Sequence, residues 1–302
     1  MIETQHRAAE LFGRNLVALV TPMRPDGSID EASLGKLVEH LIGSGCDGLV
    51  VVGTTGESPT VSDTEAFGLV RAVSTAAAGR AKVIAGVGSY DTAASVRRAR
   101  EAEAAGADAL LLVCPYYSKP AQAGVVAHCL AVADATELPV MLYDVPARVG
   151  IAMAAQTLIE LAAHPRIAAV KDAKGDLFEA MTVMGRTSLA YYCGIDELNL
   201  PYLACGATGV VSVVGNVAAD RIGELIRAVD AGDLAAARSI HTSLIPLTDA
   251  MMRASQGAVM AKAALAELGV VEHAAVRLPL LEASETDRKE LREAMNALAV
   301  PA

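Results

Sequence analysis

At 302 residues the chain has room for one large α/β domain or two average ones, and its 53% apolar content, rich in Ala, Val and Leu but with no tryptophan, is ample for a large aliphatic core. A formal net charge of −10 without a basic cluster argues against a nucleic-acid or anionic-membrane partner. No apolar run reaches the roughly 18 to 20 residues that a membrane span requires, so a soluble chain is expected.

The opening segment, MIETQHRAAELFGRN, lacks the basic start and apolar stretch of a secretory signal. It reads as a short polar lead into the first strand, and a cytoplasmic location is the expectation. Short β-branched runs then recur, each followed by an Ala-rich segment with helical spacing. Eight such runs are found, at 15–21, 47–53, 81–88, 108–114, 139–145, 167–171, 190–194 and 209–214. Each is nearly all apolar, as a parallel strand covered on both faces must be. Asp30, Ser62 and Asp91 stand where side chains cap helix starts, and Gly43, Gly79 and Gly106 where helices close. Eight strand-helix units predict a (β/α)₈ TIM barrel over 1–231, because eight parallel strands close around a filled interior. A doubly wound sheet is disfavoured: no GxGxxG follows the first strand. Beyond residue 232 the alternation stops, and three helical segments predict a C-terminal appendage over 232–302.

Five cysteines, Cys46, Cys114, Cys129, Cys193 and Cys205, are odd in number and show no CxxC pairing, so they are read as buried thiols. The histidines, His6, His40, His128, His164, His241 and His273, are scattered and read as surface or structural. Neither a metal site nor a nucleotide cofactor is expected.

In a barrel of this kind the chemistry lies at the C-terminal ends of the strands. Lys171 ends the apolar run IAAVK, where desolvation would favour a neutral amine able to attack a carbonyl. A lysine that snorkels to solvent or pairs with Asp172 fits the same pattern. Tyr143, on the neighbouring strand, is placed to pass protons, or is a core tyrosine with a satisfied hydroxyl. The turn Gly53-Thr54-Thr55-Gly56 offers N–H groups and hydroxyls suited to a carboxylate, or is an ordinary loop. Arg148 suits a second carboxylate bidentately, or is simply solvated.

Five stretches, Gly53-Thr54-Thr55-Gly56-Glu57-Ser58, Pro115-Tyr116-Tyr117-Ser118-Lys119-Pro120, Tyr143-Asp144-Val145-Pro146-Ala147-Arg148, Val170-Lys171-Asp172 and Gly209-Val210-Val211-Ser212-Val213, together resemble the dihydrodipicolinate synthase family of pyruvate-dependent aldolases. The similarity runs from about residue 14 to the C-terminus. It implies that Lys171 forms a Schiff base with pyruvate and that the enamine attacks L-aspartate 4-semialdehyde. It further implies that Thr54, Tyr143 and Tyr117 relay protons, Tyr117 reaching into a neighbouring subunit's site, that Thr55 holds the pyruvate carboxylate, and that Arg148 holds the semialdehyde's. Gly53, Gly194, Val211 and Val213 are assigned to the substrate site on the same ground, and a homotetramer built as a dimer of dimers is implied. A sister aldolase acting on a sugar acid, or a non-catalytic barrel, remains as an alternative.

One departure stands out. The turn after the seventh run reads Cys193-Gly194-Ile195-Asp196, with Ile195 where the synthases usually carry a second acid, which puts substrate detail there in doubt. Lysine-inhibited synthases place His, Asn and Glu around an interface cleft, where this chain has Asp63, Ala66, Tyr90 and Ala94, so weak or absent lysine feedback is expected.

Overall fold

The structure, a computed structural model, describes residues 2–299, with side chains from 7 to 298; the His6 side chain and residues 300–302 of the C-terminal region lie outside the described residues. All eight apolar runs form strands, shorter than their sequence limits: β1 (Asn15–Ala18), β2 (Gly48–Val51), β3 (Lys82–Gly86), β4 (Ala109–Val113), β5 (Val140–Asp144), β6 (Ile167–Asp172), β7 (Ala190–Cys193) and β8 (Gly209–Ser212). They are parallel, follow sequence order, and close when β1 pairs with β8, Leu16 opposite Val211. Backbone left over at the strand ends, such as Val52-Gly53 and Val87-Gly88, builds the rim of the barrel.

Helices cover the outside: α2 (Glu31–Gly43), α3 (Asp63–Ala77), α4 (Thr92–Ala104), α5 (Gln122–Ala133), α6 (Pro146–Val149), α7 (Ala155–Leu161), α8 (Leu177–Arg186), α9 (Asn199–Ala204) and α10 (Gly215–Asp230). The three expected caps form, with Asp30 accepting from Ser33 N–H, Asp91 from Ala93 N–H, and Ser62 in a reciprocal capping box with Glu65. Gly43 does not close its helix: it lies inside α2, Ser44 is the cap, and Gly45 takes the left-handed turn at φ 82°. After α10 come α11 (Leu234–Met252), α12 (Gly257–Glu267) and α13 (Glu285–Ala299), with α13 packed on both of the others. Among the described residues, no helix is long and apolar enough to cross a membrane.

The expected polar lead is instead a helix, α1 (Ile2–Phe12), which packs against β3 and β7. Its last residue, Phe12, is fully buried edge-on to Tyr192, with centroids 6.1 Å apart, and the Tyr192 hydroxyl donates to Gly13 O at 2.8 Å. Gly13 has φ 86°, and a Cβ there would lie 2.6 Å from Asp47 Oδ1, so only glycine lets the chain turn from α1 into β1. The floor of the barrel is thus stoppered by a helix whose short amphipathic pattern is masked by its polar residues. Four of the cysteines are buried, while Cys205 is half-exposed. His128 is buried, with Nδ1 2.9 Å from Thr92 Oγ1.

Strands β5 and β6 carry the one irregularity in the barrel's register: Val140 faces Ile167, but Met141 faces Ala169, so Ala168 is an extra residue. From there the pairs run Leu142 with Val170, Tyr143 with Lys171 and Asp144 with Asp172.

Replacing Phe12 with alanine removes the stopper's anchor; a loss of about 3–5 kcal/mol in unfolding free energy is expected from denaturant titration, with the strand content by circular dichroism unchanged in the absence of denaturant.

Candidate active site

A cavity of about 510 Å³ opens beside the C-terminal ends of β2 to β5. Gly53, Thr54, Tyr143 and Arg148 all line it. Lys171 sits alongside, 5% exposed, with its Nζ 4.3 Å from the centroid of the Tyr143 ring. The register explains the meeting: two residues paired across adjacent strands project to the same face. Lys171 therefore neither snorkels to water nor pairs with Asp172, which faces the other way and accepts from Lys174 N–H at 2.8 Å and Gly175 N–H at 3.3 Å. An amine held off solvent against a phenol ring is equipped to add to a carbonyl and to exchange protons. Gly194 leaves room here: a Cβ would lie 3.0 Å from Asp172 O and 3.1 Å from both Cγ and Cε of Lys171, so the backbone or the lysine stem would have to give.

The turn after β2 is closed by Gly56 N–H to Gly53 O at 3.0 Å and Glu57 N–H to Thr54 O at 3.1 Å, with the Thr21 hydroxyl donating to Gly56 O at 2.7 Å. Thr54 and Thr55 occupy its apex; Thr54 faces the cavity and Thr55 is buried beside it. Val52 and Glu57, at φ 56° and 58°, bracket the turn in the left-handed region, an unusual state for a β-branched residue in particular. Arg148 is exposed at the mouth, its guanidinium 3.3 Å from Gln256 Oε1 at the start of α12. Val211 is buried in β8, and Val213 Cγ1 lies against Gly257. Neither Val211, Val213 nor Tyr117 is among the residues lining the cavity, and Tyr117 is 89% exposed, with φ 70°.

Ile195, the departure after β7, is not among the residues lining the cavity. Its side chain packs, with Leu198, next to Gly175. The retained acid Asp196 is the structural one. Its carboxylate accepts from Val213 N–H at 2.8 Å, Val214 N–H at 3.1 Å and Asn199 Nδ2 at 3.1 Å, and from the Ser212 hydroxyl, thereby fixing the loop that follows β8.

Sequence inspection missed three buried polar groupings: Asp196, the Glu57–Lys262 pair, and the cluster behind Tyr143 and Lys171. A lysine amid the alanines and methionine of α12, at the helix centre with no polar neighbour, was the available signal for the second. In the third, Lys174 Nζ lies 3.6 Å from Asp144 Oδ2, donates to Met153 O at 3.2 Å and pairs with Glu179. Burial pushes the Asp144 carboxyl up to about 6, against the opposing pull of Met153 N–H and Lys174. Burial likewise raises Asp172. Burial works against the Lys174 ammonium, yet Glu179 and Asp144 outweigh it and hold its pKa above the ordinary value. Among the described residues, no group of three His, Cys, Asp or Glu side chains is arranged to hold a metal ion.

Comparison with known proteins supplies an independent finding. The family model described as "Dihydrodipicolinate synthetase family" matches residues 11–298. The chain is 51% identical over 289 residues to a 4-hydroxy-tetrahydrodipicolinate synthase from Mycolicibacterium paratuberculosis, covering 96% of each. Among solved structures it is similar to a dihydrodipicolinate synthase from Bacillus anthracis (TM-score 0.91, 39% identity, 95% of this chain and 98% of that one). It is also similar to one from Cyanidioschyzon merolae with lysine bound (TM-score 0.92, 39% identity, 95% and 98%).

The raised Asp144 sets a pH dependence of stability. The native state keeps this proton up to about pH 6, whereas an unfolded aspartate releases it near its ordinary value of 3.8, so between those limits the native state binds more protons. Its contribution to stability is therefore largest below about pH 4 and declines until about pH 6, by about 3 kcal/mol. Asp144→Asn is expected to remove that part of the slope, measured as unfolding free energy against pH for the two proteins.

Proposed function

Because the chain belongs to the dihydrodipicolinate synthetase family, we propose that it condenses pyruvate with L-aspartate 4-semialdehyde to 4-hydroxy-tetrahydrodipicolinate, a step of lysine and diaminopimelate biosynthesis. The observation that carries this is the buried Lys171 amine set 4.3 Å from the Tyr143 ring beside a cavity of substrate size. The amine adds to the pyruvate ketone, and loss of water from the carbinolamine gives an iminium. That cation is an electron sink, so the methyl group loses a proton to give the enamine. The enamine carbon then forms a bond to the aldehyde carbon. Attack by the amino group of the bound semialdehyde on the iminium carbon closes the ring and releases the Lys171 amine. The carbon chemistry is covalent throughout, and no cofactor is required.

Within this scheme Tyr143 and Thr54 pass protons, Thr55 and the N–H groups of the Gly53 turn hold the pyruvate carboxylate, and Arg148 holds that of the semialdehyde. Gly194, Val211 and Val213 shape the site. Tyr117 completes the relay from a second copy of the chain; its full exposure in a strained backbone conformation supports this. Assembly as a homotetramer, a dimer of dimers, is supported further by Phe178 and Met181, large apolar side chains exposed one turn apart on α8. The acidic charge and the metabolic role favour the cytoplasm.

Lysine feedback is expected to be weak. Asp63 is neutralised by Arg98 Nε at 2.8 Å and Arg97 at 3.2 Å, and Ala66 and Tyr90 offer no charge to either amino group of lysine.

Borohydride reduction in the presence of pyruvate is expected to leave one reduced pyruvyl group on Lys171, located by peptide mass; folded protein without it would refute the scheme. Tyr143→Phe should lower kcat by about 10²–10⁴-fold. In initial-rate assays, millimolar lysine should change the rate by less than the roughly fivefold coupling of a working effector site.

A further inference from the structure

The turn that presents Thr54 and Thr55 does not hold itself. It is bracketed by left-handed Val52 and Glu57, and its own hydrogen bonds tie it only to itself and, through Thr21, to the loop after β1. What opposes the strain comes from the other end of the chain. Lys262, at the centre of α12, is wholly buried, and its Nζ donates to Glu57 Oε1 and, at 2.7 Å, to Ala275 O. The second oxygen, Glu57 Oε2, accepts from Arg277 N–H at 2.9 Å. Both oxygens of this carboxylate are thus fixed by the C-terminal region, and the two charged side chains are 1% and 0% exposed. The Arg277 guanidinium reaches Thr60 O at 2.6 Å and Gly27 O at 2.7 Å, so the loops on either side of the turn are drawn to the same strut.

We infer that the buried Glu57–Lys262 pair is a positioning element for the pyruvate carboxylate site: the C-terminal helices set the left-handed geometry of the Gly53–Gly56 turn and thereby the placement of Thr54 and Thr55. The pair touches no substrate. It acts through the turn, and the inference rests on the role proposed above for Thr54 and Thr55. A charge pair suits this task because a buried carboxylate facing an ammonium has one deep orientation, whereas apolar contacts tolerate sliding. It also accounts for an expense that packing alone would avoid, since methionine would fill the Lys262 volume without desolvating a charge.

The test uses the full chain and two variants in parallel: E57Q/K262M, which replaces the ion pair with neutral groups of similar volume, and the milder E57Q, which keeps one acceptor oxygen. Circular dichroism and thermal unfolding establish which of them fold. For each folded variant, the pyruvate concentration giving half-maximal borohydride trapping is measured, together with the KM values for both substrates. The expected result is a rise of about tenfold or more in the pyruvate KM and in the trapping midpoint for the double variant, with the semialdehyde KM within about twofold; displacement of positioning groups by about 1 Å has effects of this size. E57Q alone should shift the same two quantities in the same direction. A folded variant with wild-type pyruvate dependence, or with both KM values rising together, overturns the inference. Wild-type protein that fails to be trapped by pyruvate refutes the proposed function instead, so the two failures are told apart.

Discussion

The single extra residue in β6 decides whether this barrel has a reactive centre. Side chains alternate along a strand, so a one-residue change of register moves every following residue to the opposite face relative to its neighbour. With Ala168 inserted, Lys171 lies opposite Tyr143 and Asp172 opposite Asp144. Without it, Tyr143 would face Val170, and the amine would lose its phenol. The bulge also sorts charge into two compartments: the ammonium of Lys171 on the cavity side, and the carboxyls of Asp144 and Asp172 with Lys174 on the other.

That separation has a chemical consequence. Lys171 lies against an aromatic ring and forms no ion pair among the described residues, and a carboxylate in contact would bind its proton and blunt its nucleophilicity. The acids that strand alternation brings so close are occupied elsewhere, by backbone N–H groups and by a second lysine. Lys174 thus shields the site by neutralising the charge immediately behind it. Gly194 contributes by omission, since a side chain there would crowd the lysine stem.

Buried polar groups recur around the mouth, and each one fixes a loop. Asp196 holds the segment after β8, Glu57 with Lys262 the turn after β2, and Asp144 with Lys174 the stretch after β5 and β6. Loops at a barrel rim have little apolar surface with which to order themselves. Charged groups taken out of water, each satisfied by several donors, supply orientation where packing cannot, at the cost of desolvating them.

The sequence alone determined the barrel, because eight apolar runs with helical intervals repeat a local pattern, and it singled out Lys171, Tyr143 and the Thr54–Thr55 turn, because motif and strand end coincide there. It also led astray at two points: the helix α1 reads in the sequence as a polar lead, and closure of α2 passed from Gly43 to Gly45. What only the tertiary structure decided are relations between residues far apart in the chain: the bulge that pairs Lys171 with Tyr143, the Asp196 network, and the bond between Glu57 and Lys262, which lie 205 residues apart. Periodicity records which face of an element is buried. It carries no record of which buried charge meets which, since that depends on register and closure, properties of the assembled barrel rather than of any segment within it.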